Sequence, residues 1–241
     1  MPSSLILSRL LGLALCCTPL HALAGTAPTD AAERLAACSA CHGEHGEGVS
    51  GAEYYPHLAG KPAGYLLEQL QNFRDGRRVN AQMTWLVGSM DDAYMADIAA
   101  YYASMPPRTR PADTGAETLT DTMRDTALRL VEQGDPARNV PPCTACHGKA
   151  LTGLEPAIPA LVGLPADYII AQLGNWRSGV RHAKAPDCMA DVASDLSPGD
   201  IRAIAVWLSR QVAADGHRPA PAGSFLPPRA CGAMPHGEAA P

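Results

Sequence analysis

Aromatic residues are scarce in this chain of 241 residues, since only two are phenylalanine and 5% are aromatic in total. Small domains bury little apolar surface, and aromatic side chains normally supply much of it. Two domains of ordinary size would therefore have poor cores if these side chains alone filled them. We expect a large apolar cofactor to supply the missing bulk.

Basic charge and long apolar runs are also missing from most of the chain. A formal net charge of −5 argues against nucleic acid as a partner. The apolar stretch at residues 10–20 is short for a membrane span, and Ala22 and Ala24 frame a cleavage site after it. This order is typical of a secretory signal peptide. We expect residues 1–24 to be removed on export, which leaves a protein that is soluble or only peripherally associated with a membrane.

Six cysteines follow that segment, and four of them form two C-x-x-C-H sequences, Cys38-Ser-Ala-Cys41-His42 and Cys143-Thr-Ala-Cys146-His147. This pattern is the attachment motif of c-type haem, because two intervening residues let both thiols reach one porphyrin edge while the histidine lies beneath the iron. We predict two covalently bound haem c groups. The predicted attachment residues are Cys38, Cys41, Cys143 and Cys146, and the predicted iron ligands are His42 and His147.

A single C-x-x-C could instead belong to a disulfide redox motif or to half of a zinc site. A redox pair needs no histidine at the next position and is expected in a βαβ framework, of which the sequence gives no sign. A four-cysteine zinc site would join two halves about a hundred residues apart and leave both histidines unexplained. Export also favours haem, since c-type haem is attached outside the cytoplasm.

Cys188 and Cys231 remain as an even pair in an oxidising compartment, which predicts a disulfide. The bond would fasten the Pro- and Gly-rich tail, residues 216–241, to the second half of the chain. Because Cys188 directly precedes a candidate haem ligand, we expect the bond to restrain the loop that carries this ligand.

The two halves of the chain repeat one another. Residues 56–78 match residues 159–181 at a constant offset of 103, and residues 91–104 match residues 197–210 at an offset of 106. The second half therefore carries three extra residues between Arg181 and its final helix. Side chains that correspond in the repeat are candidates for the same task in each half.

The repeat also predicts the second axial ligand of each iron. Met83 corresponds to Met189 at the offset of 106, and they follow their histidines by 41 and 42 residues. Met90, Met95 and Met105 have no such counterpart. We predict that Met83 and Met189 bind the irons from loops between helices. Histidine and methionine together fill both axial positions and favour ferrous iron, which suits an electron carrier.

Apolar spacing and capping residues predict an all-α chain with no strand pattern. The predicted helices are residues 30–40, 65–73 and 91–104 in the first half, and 122–131, 168–176 and 197–212 in the second. The predicted parts of the chain are a signal peptide at 1–24, an N-terminal domain at 25–105, a Pro-rich linker at 106–121, a C-terminal domain at 122–212 and a tail at 213–241.

Over roughly residues 30–212 these linked motifs resemble class I c-type cytochromes, specifically the two-haem cytochrome c4 family. The resemblance implies two tandem class I cytochrome c domains, each wrapping one haem. It also implies that the carbonyl groups of Pro56 and Pro159 accept hydrogen bonds from the haem-ligating histidines. Family members are periplasmic and pass single electrons from quinol-oxidising complexes or dehydrogenases to terminal oxidases.

Several polar residues leave alternatives open. Arg78 and Arg181 correspond in the repeat, and they either neutralise haem propionates or dock a partner, or else interact with helix C-terminal dipoles. The dipole interpretation is favoured for Arg77. The remaining histidines have no counterparts and are expected at the surface; they are His45, His57, His182, His217 and His236.

Two other functions compete with that of a mobile carrier. A dihaem peroxidase-type enzyme would need one iron with an open or displaceable ligand, which the paired methionines argue against. A cytochrome subunit fixed in a dehydrogenase complex uses the same haem domains as a free shuttle, so that only co-purification with a catalytic subunit would separate the two.

Overall fold

The structure is a computed structural model that describes residues 31–49, 54–107, 117–212 and 218–234. Over these residues the chain is helical and has isolated bridges but no β-strand. The all-α prediction is therefore confirmed. In the same residues no helix combines the length and the apolar character needed to cross a membrane. The predicted signal peptide, most of the linker, His217 and His236 lie outside the described residues.

The first half contains α1 (Ala31–His42), α2 (Ala63–Arg74), α3 (Ala81–Val87) and α4 (Asp92–Ser104). The second half contains α5 (Asp121–Glu132), a 3-10 turn (Pro136–Arg138), α6 (Cys143–His147), α7 (Ala166–Arg177), α8 (Cys188–Asp195) and α9 (Pro198–Leu208). The last helix ends at Leu208 and not at residue 212. It ends there because side chains that follow it bind its final carbonyl groups, as Gln211 does with that of Trp207 at 3.0 Å.

Met83 and Met189 lie on short helices, so the prediction that they occupy loops was wrong. In α3 the side chain of Asn80 accepts a hydrogen bond from the Met83 N–H at 3.0 Å. In α8 the side chain of Asp187 accepts one from the Ala190 N–H at 3.1 Å. These helices have seven and eight residues, which is too short for apolar periodicity to distinguish them from loops.

Each half has its own hydrophobic core. In the first half α2 packs against α3 and α4, and Leu66, Ile98 and Tyr102 are buried between them. In the second half α7 packs against α8 and α9, and α5 packs against α6 and α9. The buried side chains Leu130 and Ile204 belong to the second core. Cys38 of the first cysteine motif packs against the first core, and Cys143 of the second motif packs against the second core.

The chain from Leu35 to Pro241 forms one compact unit, and hydrogen bonds join its halves. The N–H of His182 donates to the carbonyl group of Arg77 at 2.6 Å. The rings of Tyr54 and Tyr168 meet edge to face, with centroids 5.2 Å apart. The domain boundaries drawn from the sequence stay a prediction.

The tail is fastened to the second half, as the cysteine count predicted. A disulfide joins Cys188, the first residue of α8, to Cys231. The N–H of Gly232 donates to the carbonyl group of Pro186 at 2.9 Å, beside this bond. Further back in the tail, the N–H of Ala220 donates to the carbonyl group of Gly153 at 2.9 Å. The tail thus contacts both the segment before α8 and the loop that follows the second cysteine motif.

Candidate functional site

The first C-x-x-C-H sequence forms the end of α1. Cys38 and Cys41 are three residues apart on this helix and therefore lie on one face. His42 is buried, and its Nδ1 atom lies 2.7 Å from the carbonyl oxygen of Pro56. Because a carbonyl oxygen can only accept, the ring proton belongs on Nδ1. The Nε2 lone pair of His42 is then available to a metal ion.

The second C-x-x-C-H sequence forms α6, directly after Pro142. Here the preceding helix has already ended at Glu132, and the 3-10 turn separates it from the motif. His147 is buried, and its Nδ1 atom lies 2.8 Å from the carbonyl oxygen of Pro159. The local structure before the two motifs differs, yet both histidines donate to a proline carbonyl at the same place in the repeat.

Two glycines bring these proline segments close to the histidines. The N–H of Gly48 donates to the His42 carbonyl at 2.7 Å, and the N–H of Gly153 donates to the His147 carbonyl at 2.9 Å. Both glycines have positive φ angles, 79° and 96°. A Cβ atom on Gly48 or Gly153 would lie only 2.7 or 2.4 Å from the nearest backbone atom. Only glycine fits these turns without displacing the chain that carries the proline.

Burial is the largest cause of the pKa shifts at both motifs. It raises the pKa of Cys38, with a smaller contribution from Cys41, and it raises the pKa of Cys143 to about 12. A raised thiol pKa is the opposite of the lowered one that marks the reactive cysteine of a disulfide redox motif. Burial lowers the pKa of both His42 and His147. The imidazoles therefore stay neutral, and the neutral form is the one that binds a metal ion.

A cavity of about 180 Å³ adjoins the second motif. Its wall contains Cys143, Cys146, His147 and Met189 as well as Pro159, so the structure brings all five predicted site residues of the second half together. Most of the remaining wall is apolar and includes Ile158, Leu161, Leu173, Trp176, Ile204 and Leu208. The donors are two thiols, one imidazole nitrogen and one thioether sulfur. This wall fits a flat apolar ring that is attached through thiols and carries an axially ligated iron, which is haem c.

The predicted residues of the first half are linked less directly. Met83 contacts a buried cluster around Phe73 and Met95, whereas Cys38 contacts a separate cluster. Leu67 and Leu70 pack against both clusters. These two leucines therefore connect the cluster of Met83 to the cluster of Cys38.

Sequence reasoning missed Met234, which lines the second cavity together with Met189. It belongs to the tail segment Cys231–Met234, all of which contributes to the cavity wall. The tail lies outside the repeat, so the comparison of halves that selected Met83 and Met189 could not select it. The nearby disulfide between Cys188 and Cys231 was the one signal in the sequence that placed this segment close to the site.

Two arginines that correspond in the repeat form hydrogen bonds between the halves. Arg78 donates to Gln69 of its own half and to Gln172 of the other, both at 3.0 Å. Arg181 donates to Gln172 at 2.5 Å and to Gln69 at 2.9 Å. Neither Arg78 nor Arg181 donates a hydrogen bond to a carboxylate among the described residues. Tyr168 accepts a further bond from Arg78 at 3.0 Å.

Each of these arginines also stacks on an aromatic ring of its own half. The Arg78 guanidinium lies 4.6 Å from the centre of Phe73, and that of Arg181 lies 3.6 Å from the centre of Trp176. Burial and the nearby Arg78 lower the pKa of Arg181 to about 10. Arg181 is buried, Arg78 is half-buried, and both donate to the same two glutamines, which argues against the interpretation of these two residues as charges that only interact with helix C-terminal dipoles. Arg77 differs, since it forms a partly exposed ion pair with Asp75.

The expectation for the unmatched histidines was wrong at one position. His45 and His182 are exposed as predicted, but His57 is only 4% exposed. Its burial follows from its place directly after Pro56, in the segment that the turn at Gly48 approaches closely. A histidine without a counterpart in the repeat can thus be buried simply because its neighbour supports the site.

The helical fold and the two buried histidine motifs define a class I c-type cytochrome, and known proteins agree. The cytochrome c family profile matches residues 30–106. The thiosulfate dehydrogenase electron acceptor of Thiomonas intermedia is 37% identical over 197 residues, which cover 80% of this chain and 88% of that protein. Cytochrome c4 of Pseudomonas aeruginosa is 36% identical over 208 residues, which cover 86% of this chain and 98% of that protein.

Two solved structures share the fold. Reduced cytochrome c4 from Pseudomonas stutzeri has a TM-score of 0.62 and 31% identity, and the match covers 75% of this chain and 95% of that one. The as-isolated thiosulfate dehydrogenase from Marichromatium purpuratum also has a TM-score of 0.62 and 31% identity. This second match covers 72% of this chain but only 36% of that longer chain.

The chain therefore belongs to the two-haem cytochrome c4 family, as its motifs indicated. It is an electron carrier and not an enzyme, and its cofactor is covalently bound haem c with its iron.

Proposed function

We propose that this protein is an exported electron shuttle in which each half holds one haem c between a histidine and a methionine. The proposed attachment residues are Cys38, Cys41, Cys143 and Cys146, and the proposed iron ligands are His42 with Met83 and His147 with Met189. One observation carries the proposal: each motif histidine is buried and donates to a proline carbonyl, at 2.7 Å for Pro56 and at 2.8 Å for Pro159.

The histidine hydrogen bonds orient both imidazoles and raise their basicity as ligands. When bound, haem iron supplies a one-electron Fe(III)/Fe(II) couple. Transfer of one electron needs no bond to be made at the iron, so the task of the protein is to hold the ligands and exclude water. The apolar wall around His147 and Met189 serves this purpose in the second half.

Arg78 and Arg181 are proposed to neutralise haem propionates. Two neighbouring guanidinium groups with neutral partners are costly to bury, and a carboxylate from the cofactor would offset that cost. The neutral partners are the amide oxygens of Gln69 and Gln172 and the hydroxyls of Tyr65 and Tyr168. For Arg181, which is only 4% exposed, this burial favours propionate neutralisation over partner docking, because a buried group is not accessible to a partner.

The proposed electron donor is a dehydrogenase, and a thiosulfate dehydrogenase is the first candidate. The similarity to an acceptor protein of that name over 88% of its length supports this choice. A quinol-oxidising complex is the alternative donor, and a terminal oxidase is the proposed acceptor. We propose that these reactions take place in the periplasm, because the first 24 residues have the order of a signal peptide.

The attachment scheme is tested by counting haems. His42→Ala should leave one covalent haem per chain, measured by the pyridine haemochrome spectrum together with the protein concentration. His45→Ala, which changes an exposed histidine of the same segment, should retain two. Two normal haems in the His42 variant would refute the scheme.

The ligation is tested by a reduced-minus-oxidised spectrum followed by carbon monoxide. Two six-coordinate irons should show a sulfur-to-iron band when oxidised and no spectral shift with carbon monoxide. A shift on half of the haem would reveal one open iron and would favour the peroxidase-type function instead.

The donor is tested by mixing the oxidised protein with a thiosulfate dehydrogenase and thiosulfate in a stopped-flow spectrometer. Reduction within the turnover time of the enzyme supports the proposed donor, whereas reduction only by a quinol-oxidising complex favours the alternative. A cytochrome that is fixed in a dehydrogenase complex would instead co-purify with a catalytic subunit after gel filtration.

A further inference from the structure

A lysine of the first half reaches the haem cavity of the second. Lys61 precedes α2 and is 7% exposed, and the Pro62 that follows it is among the most deeply buried residues. Although it belongs to the first half, Lys61 lines the cavity that also contains His147 and Met189. The first half therefore contributes a buried cation to the cofactor site of the second.

The Lys61 ammonium has no anionic partner among the described residues. No ion pair or side-chain hydrogen bond links it to any of them, and the nearby Arg78 carries charge of the same sign. Glu68 lies on the same cavity wall, but its carboxylate accepts from the N–H of Lys184 at 3.3 Å. Burial lowers the pKa of Lys61 to about 8, which shows how poorly its surroundings satisfy the charge.

The repeat shows that this cation is peculiar to one half. At the offset of 103 the counterpart of Lys61 is Leu164, which lines the same cavity with an apolar side chain. An apolar residue is thus compatible with this position of the fold. A buried ammonium is costly unless it is paired, so an anion that binds at the cavity would explain why a lysine is tolerated here.

We propose that the Lys61 ammonium binds a haem propionate in the cavity of the second half, and so raises the reduction potential of that haem from across the boundary between the halves. This inference rests on the proposed function, in which His147 and Met189 hold a haem at this cavity. A positive charge near the porphyrin favours ferrous over ferric iron, because reduction removes one positive charge from the iron. The asymmetry between Lys61 and Leu164 would then separate the potentials of the two haems.

The test is a spectroelectrochemical titration of the full-length protein with both haems attached. Lys61→Leu, which places the residue of the other half at this position, should lower the ratio of reduced to oxidised haem in the second half by threefold to about tenfold at a fixed applied potential. Tenfold corresponds to about 59 mV for a one-electron couple. Met189→Ala identifies which of the two potentials belongs to this haem.

Three further variants make the test specific. Lys149→Leu removes a lysine charge from an exposed position close to the same motif, and solvent should reduce its effect to less than that of Lys61→Leu. Lys61→Arg should keep most of the potential, because it keeps the cation. Lys61→Met provides a neutral unbranched side chain of similar length if the leucine variant folds poorly.

Unchanged potentials in Lys61→Leu and Lys61→Met, or a change no larger than that of Lys149→Leu, would overturn the inference. If both variants also kept two haems with their sulfur-to-iron bands, the proposed carrier function would stand. Retention of two normal haems by His42→Ala would instead refute the attachment scheme of the carrier proposal without any change at Lys61, so that the two proposals can fail separately.

Discussion

At the scale of single residues, two methionines, Met189 and Met234, line the cavity that contains His147, and the proposed ligation assigns the iron to Met189. The repeat favours Met189, which has Met83 as its counterpart, whereas Met234 has none. Their positions also differ in local structure. Met189 lies in α8, directly after a disulfide-bonded cysteine, whereas Met234 lies outside any helix. A helix holds an axial ligand more precisely than a loop does.

Met189→Ala should lower the potential of one haem and leave the other nearly unchanged, because loss of a thioether ligand removes the preference for ferrous iron. Met234→Ala serves as the control and should leave both potentials near those of the parent protein. Redox titration followed at the haem absorption bands measures both. The reverse outcome, with a shift only in the Met234 variant, would assign the ligand to the tail.

At the scale of elements, α9 shows how side chains define a helix start. Ser197 and Asp200 form a reciprocal capping box, and Arg138 of the 3-10 turn donates to Asp200 at 2.7 Å. Burial alone would raise the pKa of Asp200, but the hydrogen bonds from Arg138 and Ser197 outweigh it and hold the pKa below its usual value. The start of α9 is therefore tied to the segment that leads into the second haem motif.

Asp200→Asn should lower the free energy of unfolding by about 1 kcal/mol at pH 7. A carboxyl with a depressed folded pKa stabilises the protein above its unfolded pKa of about 3.9, and this stabilisation is lost as the pH falls through the lower, folded value. The difference from the parent should thus shrink below about pH 4 in denaturant titrations. Asp167→Asn, at an exposed position in α7, should show little change at either pH. Equal losses at pH 3 and pH 7 for Asp200→Asn would contradict this account.

The tail is the second element whose position matters for the site. Replacing both Cys188 and Cys231 by serine removes a covalent link across 43 residues of sequence. We expect the free energy of unfolding to fall by about 2–4 kcal/mol. Because the tail lines the cavity and its bond adjoins Met189, trypsin should cleave the tail sooner and carbon monoxide should bind one haem of the two.

Cleavage rates equal to those of the disulfide-bonded parent, with no binding of carbon monoxide, would mean that other contacts hold the tail. Those contacts are visible in the structure. Arg229 donates to the carbonyl group of Asn139 at 2.9 Å, and Gly232 packs tightly against the carbonyl groups of Lys184 and Ala185.

At the scale of the whole molecule, the two halves share one network of hydrogen bonds. Gln69 and Gln172 each accept from both Arg78 and Arg181, so that neither half satisfies its own arginine alone. The exchange is symmetrical in the repeat, which is why the four residues can meet at the junction. Lys61 adds a cation in the same region, and its counterpart in the repeat, Leu164, is uncharged. The two halves therefore contribute different charges to the junction.

Arg181→Met should lower the free energy of unfolding by about 2 kcal/mol, because it leaves the buried oxygens of Gln69 and Gln172 with one donor fewer. We also expect the two halves of this variant to unfold in two separate transitions. Absorption at the haem bands and helical circular dichroism would report this together. Arg202→Met, which removes an exposed ion pair to Glu117, should change stability by less than about 0.5 kcal/mol. One unchanged cooperative transition in Arg181→Met would show that the network does not couple the halves.

Local sequence determined most of the helices, both haem motifs, the disulfide pair and the family. Each of these depends on residues a few positions apart, on a count, or on a repeat that can be aligned without coordinates. The helices that carry Met83 and Met189 were not predicted, because they are too short to show a helical period of apolar residues.

Only the tertiary structure placed Lys61 and Met234 at the cavity that contains His147. It also showed that Arg78 and Arg181 each donate a hydrogen bond to a glutamine of the other half. These groups are separated from their neighbours in the fold by dozens of residues or more, and packing of whole helices brings them together. Short motifs in the sequence thus predict how the haems are attached and which histidines bind the irons, whereas the charges around the cofactors depend on how the two halves pack.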